Sequence, residues 1–326
     1  MNIKSIILSE LDVLRKKELQ DGHTFKGIAY AKVIQQIKQL DQVTSMEDLK
    51  DIKGIGESIR EKIKEILETG RLEQAEEARK DPTLEVMDQF MNIYGIGRVK
   101  ASNLVKKQNI NSITELRDAV KKNSKLLNKN QKVGLMYYEA LLERIPRAEM
   151  KKHEKLLKKT IKDLTIEIVG SYRRGEPTSG DIDVLIQWPF TLSAEDISTK
   201  FHTIVQQLKE EGYITDILAE GDKKCMAVCR LQDGTARRLD LLITPEDVYG
   251  FTLLYFTGSD KFNVALRKVA LEKGYSLNEH GFTSSNPEKY PLPQLKSEAE
   301  ILDFLGYTYI DPKQRKNEAT LQKFLK

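Results

Sequence analysis

Apolar residues recur at helical spacing through the first 150 residues of this chain, and period-two alternation appears only after residue 164. That switch constrains the fold most, because a pattern with a period near 3.6 cannot serve a half-buried strand, and the reverse also holds. Ile6, Ile7, Leu11 and Leu14 follow helical spacing, as do Ile28, Val33, Ile34 and Ile37. Thr165-Ile166-Glu167-Ile168-Val169 alternates and stops at Gly170. Ile182 to Ile186, Cys225 to Leu231 and Arg238 to Ile243 are further strand segments, the last two joined by a short turn at Asp233-Gly234. Helical stretches lie between and after them at 195–211 and 260–273. A helical first half followed by a mixed sheet predicts a multidomain α+β chain.

Charge divides the same way. Net charge is 0 over residues 1–80, +8 over 81–160 and −4 over 161–326. The middle segment is therefore the electrostatic candidate for a polyanion such as DNA, unless its charges are simply a solvated face. No apolar run approaches the roughly 18 residues of a membrane span. Ile6–Leu8, behind Met1-Asn2-Ile3-Lys4-Ser5, is too short for a secretory leader core. Two cysteines and four scattered histidines disfavour a disulfide scaffold or zinc finger. Cys225 and Cys229 read as packing, and the chain as intracellular.

One short motif occurs twice. Ile52-Lys53-Gly54-Ile55-Gly56 precedes an amphipathic stretch from Ser58 to Leu67, and Ile93-Tyr94-Gly95-Ile96-Gly97 precedes Val99 to Val105. Glycine tolerates positive φ and admits a close ligand. Unpartnered amides at the following helix start suit a phosphate oxygen. A plain helix C-cap accounts for one such turn, but two copies, one of them in the basic segment, favour phosphate binding. The pattern resembles the helix-hairpin-helix, which makes Gly54, Gly56, Gly95 and Gly97 candidate DNA contacts.

The strongest signal is acidic. Gly170-Ser171-Tyr172-Arg173-Arg174-Gly175 is followed by Ser179-Gly180-Asp181-Ile182-Asp183-Val184. Strand residues i and i+2 share a face, so Asp181 and Asp183 are expected to point the same way. Paired carboxylates repel unless a cation joins them, and oxygen ligands suit Mg²⁺. Asp240 is the only acid of its strand. If the two strands are neighbours, three aspartates hold two metals about 3.5–4 Å apart. Asp-x-Asp is also common at strand ends, but the preceding Gly-Ser and the third Asp favour the catalytic reading. The pattern resembles the nucleotidyltransferase superfamily.

Leu254-Tyr255-Phe256-Thr257-Gly258-Ser259-Asp260-Lys261-Phe262-Asn263, with Arg267, narrows the resemblance to the family X DNA polymerases. Arg144-Ile145-Pro146-Arg147 and Asp311-Pro312-Lys313 add to it. The resemblance covers nearly the whole chain and implies four parts. These are a lyase-like helical domain with the first hairpin (1–78), a DNA-binding helical domain with the second (79–146), a catalytic palm (147–246) and a small α+β nucleotide-selecting domain (247–326). It implies that Asp181 and Asp183 bind both Mg²⁺ ions (or Mn²⁺), and that Asp240 binds the catalytic one and attracts the primer 3′-hydroxyl proton. Arg144, Ser171, Arg174 and Gly180 become triphosphate contacts, for which the forked guanidinium is suited. A surface salt bridge is the competing reading of Arg173 and Arg174. Tyr255, Phe256 and Gly258 become the sugar-packing segment that excludes ribose, though both rings also suit a core. Asp260 and Asn263 face the incoming base, and Arg238 and Arg267 contact DNA. Main-chain carbonyls of Lys50, Ile52 and Ile55, and of Met91, Ile93 and Ile96, would hold Na⁺ or K⁺ at the hairpins. Lys62 matches the lysine that forms a Schiff base with an abasic sugar, its alternative being an exposed helix lysine.

The function so implied is a template-dependent gap-filling repair polymerase. It acts as a monomer on gapped or nicked DNA and dNTP, with 5′-deoxyribose-phosphate lyase activity and no membrane partner, and is nuclear if its source is a eukaryotic cell. Ser58 departs from the pattern, standing where beta-type members have a phosphate-binding lysine. Val264, His280 and Leu242 depart from it around the template and the closing switch. The alternatives are a template-independent terminal transferase, opposed by the short turn at Asp233-Gly234, and a non-catalytic DNA-end scaffold, opposed by the three aspartates.

Overall fold

The structure, a computed structural model, describes residues 2–189 and 193–326, in two compact units, Met1–Leu135 and Met136–Lys326. The first is helical. It runs α1 (Ile3–Gln20), α2 (Thr24–Gln39), a 3₁₀ turn (Glu47–Leu49), α3 (Glu57–Thr69), α4 (Glu73–Arg79), α5 (Pro82–Met91), α6 (Arg98–Lys106), α7 (Ile113–Lys122) and α8 (Lys129–Met136). Ile7, Leu11 and Leu14 of α1 pack with Val33, Ile34 and Ile37 of α2 and with Ile59, Ile63 and Ile66 of α3. The α1 and α3 residues are i, i+4, i+7 stripes, and those of α2 an i, i+1, i+4 set, of amphipathic helices turned inward. Ile28 falls off that stripe and is 44% exposed.

The two Gly-Ile-Gly segments are turns that enter α3 and α6. Gly54 and Gly95 have φ of +94° and +80°, the left-handed region that favours glycine. Gly56 and Gly97 are N-caps without a capping side chain, so among the described residues no cap side chain takes up the first amides of either helix.

The second unit continues with α9 (Tyr138–Leu142), β1 (Ile145–Pro146), α10 (Arg147–Thr160), β2 (Thr165–Ile168), α11 (Gly170–Arg173), β3 (Thr178–Ser179), β4 (Ile182–Trp188), α12 (Ala194–Glu210), β5 (Ile214–Glu220), β6 (Lys224–Cys229) and β7 (Arg237–Pro245). A mixed five-stranded sheet has the order β2-β4-β7-β6-β5. Only β4 and β7 run parallel within it. Its core joins Ile182, Val184 and Ile186 to Leu239, Leu241 and Ile243, covered by Ile197, Phe201 and Leu208 of α12. Cys225 and Cys229 are free thiols buried in this core. The chain ends in α13 (Tyr249–Thr257), α14 (Asp260–Glu272), a β8–β9 hairpin (Tyr275–Asn278, Gly281–Ser284), α15 (Glu298–Phe304), a 3₁₀ turn (Pro312–Gln314) and α16 (Glu318–Lys323), which share a core around Phe251, Phe262 and Leu302. The architecture is multidomain α+β. Among the described residues no helix is long and apolar enough to cross a membrane.

Candidate active site: carboxylates on neighbouring parallel strands

The parallel β4–β7 ladder sets Asp183 directly beside Asp240. Equal register in a parallel pair puts both side chains on one face. Burial, and then the Asp240 charge, push the Asp183 carboxyl up to about 6. Burial also raises Asp240, against the opposing charges of Arg238 and Lys224. Asp240 Oδ1 is buried and has no hydrogen-bond partner among the described residues. Two half-buried carboxylates, one with an orphan oxygen, are a donor set that a divalent cation satisfies. Gly170 makes room for them. Its φ is +61°, and a Cβ there would lie 2.7 Å from Asp183 Oδ2.

Asp181 departs from expectation. It precedes β4 instead of lying in it, and its carboxylate is taken by the Arg238 guanidinium. Among the described residues no three acidic, His or Cys side chains gather as a metal-holding group. Arg238, read from the sequence as a DNA contact, is here the counter-ion of Asp181. Lys224 was missed altogether. Met226 pairs across the ladder with Asp240, so Lys224, two residues away, shares the face of the carboxylates. Its charge opposes the upward shift of both. Alternation beginning at Lys224 instead of Cys225 would have revealed it.

The phosphate candidates border this pair. Ser171 Oγ donates to Ser179 Oγ at 3.1 Å. Arg144 donates to the Thr178 hydroxyl at 3.1 Å and carbonyl at 2.8 Å. Arg144 Nη1 lies 3.4 Å from where a Cβ of Gly180 would stand, so glycine leaves that approach open. Arg174 donates to the Thr257 carbonyl at 2.6 Å and has no acidic partner within bonding distance among the described residues. Burial lowers its affinity for the proton, and the charges of Glu176, Asp260 and Asp183 oppose this.

Arg173 is not a surface ion pair. It donates to Glu298 at 2.9 and 2.8 Å and to the Thr257 hydroxyl at 2.7 Å. Glu298 also accepts from the fully buried Arg315 at 2.5 Å. Burial pushes the Glu298 carboxyl up, but the hydrogen bonds from Arg173 and Arg315 outweigh it and hold it below the usual range. This network fixes the end of α13 where Tyr255, Phe256 and Gly258 lie. Tyr255 and Phe256 meet edge to face at 5.1 Å. The Gly258–Ser259 peptide is cis, and Ser259 caps α14. Asp260, Asn263 and Arg267 follow on that helix. Asn263 donates to the Tyr255 carbonyl at 2.7 Å, and the Arg267 guanidinium lies 5.1 Å over the Tyr255 ring.

In the first unit, Lys62 lies on α3, and its ammonium donates to Ser58. Lys50, Ile52 and Ile55 line the first hairpin, and Met91, Ile93 and Ile96 the second, where the Ile93 carbonyl accepts from the Ile96 amide at 3.0 Å.

Known families match this arrangement piece by piece. The DNA polymerase beta palm profile matches residues 144–246 and its thumb profile 252–316. A helix-hairpin-helix domain matches 6–72, and the fingers domain of DNA polymerase lambda matches 88–142. The chain is 31% identical to DNA polymerase lambda of Rattus norvegicus over 95% of its length and 56% of that protein's. It is 31% identical to DNA polymerase lambda of Arabidopsis thaliana over 90% of its length and 58% of that protein's. It is 27% identical to DNA nucleotidylexotransferase of Gallus gallus over 84% of its length and 59% of that protein's. The chain thus spans a little over half the length of the curated relatives it matches. With palm, thumb, fingers and hairpin segments matched in one order, the chain belongs to the family X DNA polymerases.

Proposed function

We propose that this chain is a template-dependent, gap-filling DNA repair polymerase that adds dNMP to a primer 3′-hydroxyl, with 5′-deoxyribose-phosphate lyase activity in its N-terminal unit. The observation that carries the polymerase reading is the in-register Asp183–Asp240 pair, with an unpartnered buried oxygen on Asp240. Family X polymerases generally use divalent metal ions. Here Asp183 and Asp240 would hold Mg²⁺, with Asp181 joining them once Arg238 releases it. When bound, such ions supply charge neutralisation at the oxygens of an in-line displacement.

The chain's own groups do the rest. Ser171, Arg174, Gly180 and Arg144 receive the triphosphate, with fixed donors that need no reorganisation. Asp240 Oδ1 accepts the primer hydroxyl proton. Tyr255 and Phe256, held edge to face, pack against the sugar and leave no space for a 2′-hydroxyl. Asp260 and Asn263 face the base, and Arg267 the template. The hairpin amides after Gly54-Ile55-Gly56 and Gly95-Ile96-Gly97 hold backbone phosphates, with Na⁺ or K⁺ on the carbonyls of Lys50, Ile52, Ile55, Met91, Ile93 and Ile96. Lys62 is the Schiff-base nucleophile. The four parts 1–78, 79–146, 147–246 and 247–326 divide these tasks, in a protein acting as a monomer.

The test is incorporation on a duplex with a one-nucleotide gap and a 5′-deoxyribose phosphate, with borohydride trapping in parallel and a primer-only control. Templated insertion, lost in Asp240→Ala, is expected. Insertion on primer alone would point to terminal transfer, and full synthesis by Asp240→Ala would overturn the carboxylate assignment.

A further inference from the structure

The three basic side chains of α3 have different surroundings. Lys64 is held by the Glu61 carboxylate at 2.8 Å, which keeps it protonated above the usual lysine range. Arg60 is exposed, and among the described residues no acid pairs with it. Lys62 is half-buried, and among the described residues no carboxylate pairs with it, although Glu57, Glu61 and Glu65 occupy the same helix. Its Nζ turns back one helical turn instead. It donates to the Ser58 hydroxyl at 2.7 Å and to the Ser58 carbonyl at 3.2 Å. No side chain of another element bonds to it among the described residues.

A carboxylate and a hydroxyl do different things to an amine. A carboxylate stabilises only the ammonium form. A hydroxyl is neutral, accepts from the ammonium, and donates to the free amine once the proton has gone. A nucleophilic lysine must pass through that free amine. We propose that Ser58 is a positioning residue for Lys62: it holds Nζ away from the flanking glutamates and provides the path by which the amine loses its proton. The inference rests on the lyase reading of the N-terminal unit. In the step it serves, the Nζ lone pair forms the N–C1′ bond of the ring-opened sugar as the carbonyl π pair moves to oxygen. That oxygen takes a proton from water. The nitrogen's proton passes to Ser58 Oγ while the hydroxyl proton passes to water. Loss of water from the adduct then leaves the imine.

The test compares wild type, Ser58→Ala, Ser58→Thr, Ser58→Asp and Lys62→Ala by borohydride trapping of abasic DNA across pH. In parallel, formaldehyde with cyanoborohydride labels lysines, and mass spectrometry reads Lys62 against Lys64. Ser58 is exposed, and alanine favours helices, so the variants keep the fold. Expected are trapping about tenfold slower in Ser58→Ala, near wild type in Ser58→Thr, and a pH–rate rise displaced to higher pH in Ser58→Asp. Lys62 labelling should slow relative to Lys64 in Ser58→Ala. If Lys62→Ala still traps, the lyase assignment of Lys62 fails, and labelling alone then judges the role of Ser58. If Ser58→Ala leaves both the trapping rate and Lys62 labelling unchanged, the proposal is overturned while Lys62 stands.

Discussion

Glu298→Gln should unfold the C-terminal unit at a much lower temperature. Glu298 is 6% exposed and accepts two hydrogen bonds from Arg173 and one from Arg315, itself 1% exposed. Glutamine keeps the shape but removes the charge, and turns an amide N–H₂ toward guanidinium donors. Two cations then remain desolvated without their shared anion, and breaking a buried pair in this way costs about 3–5 kcal/mol. In a unit of this size, 1 kcal/mol moves the midpoint by roughly 2–4 °C, so calorimetry should record a drop of about 6–20 °C. Because the carboxyl is held below its ordinary value, its contribution is present above that ordinary value and is lost as pH falls through the lowered one. The wild-type advantage should therefore shrink in acid. Adding Arg315→Met to Glu298→Gln should restore part of the loss by removing one orphaned charge. A midpoint drop under about 3 °C, or a double variant worse than both singles combined, would refute the reasoning.

The carboxylate pair predicts a pH dependence of opposite sign. With Asp183 raised to about 6, the native state binds more protons than the unfolded chain between about pH 4 and 6. Without divalent ions, stability should fall across that window by about 2–3 kcal/mol, and Asp183→Asn or added Mg²⁺ should flatten the slope seen in chemical denaturation. At the second hairpin two glycines separate. Gly95→Ala, at φ +80° and with a Cβ 3.3 Å from Gln131 Cγ, should cost about 1–2 kcal/mol of stability. Gly97→Ala meets nothing within 4 Å and should leave the melting point alone. It should still weaken DNA binding, with little change in the salt slope because the lost contact is a neutral amide, and fluorescence anisotropy would read both. Unchanged affinity would remove phosphate binding from that turn.

Local order was legible where neighbours in sequence decide it. The alternation at Ile182–Ile186 and Arg238–Ile243 marks β4 and β7 because each buries one face, and the Gly-Ile-Gly turns mark the starts of α3 and α6. The strand at Ile214–Glu220 was not legible. Its buried and half-exposed positions do not alternate, and its pairing with β6 shifts register twice. Period two did not reveal that Asp181 stands one residue before the strand, with Arg238 as its counter-ion. Nothing in the sequence singles out Glu298, because its partners Arg173 and Arg315 lie 125 and 17 residues away. Ser58 was noticed only as a missing cation, since nothing in the spacing says which way a lysine folds back.

The register of β4 against β7 carries an evolutionary consequence. A single inserted or deleted residue within either strand would rotate Asp183 or Asp240 to the opposite side of the sheet, and no side-chain repacking could bring it back. β6 bears the same condition, because only its register on β7 keeps Lys224 on the side of the carboxylates, whereas the exposed turn at Gln232–Gly234 bears none. Lineages of this protein should therefore differ in length at that turn while holding the strands invariant in length. An engineer wishing to insert a reporter or a tether would find room there.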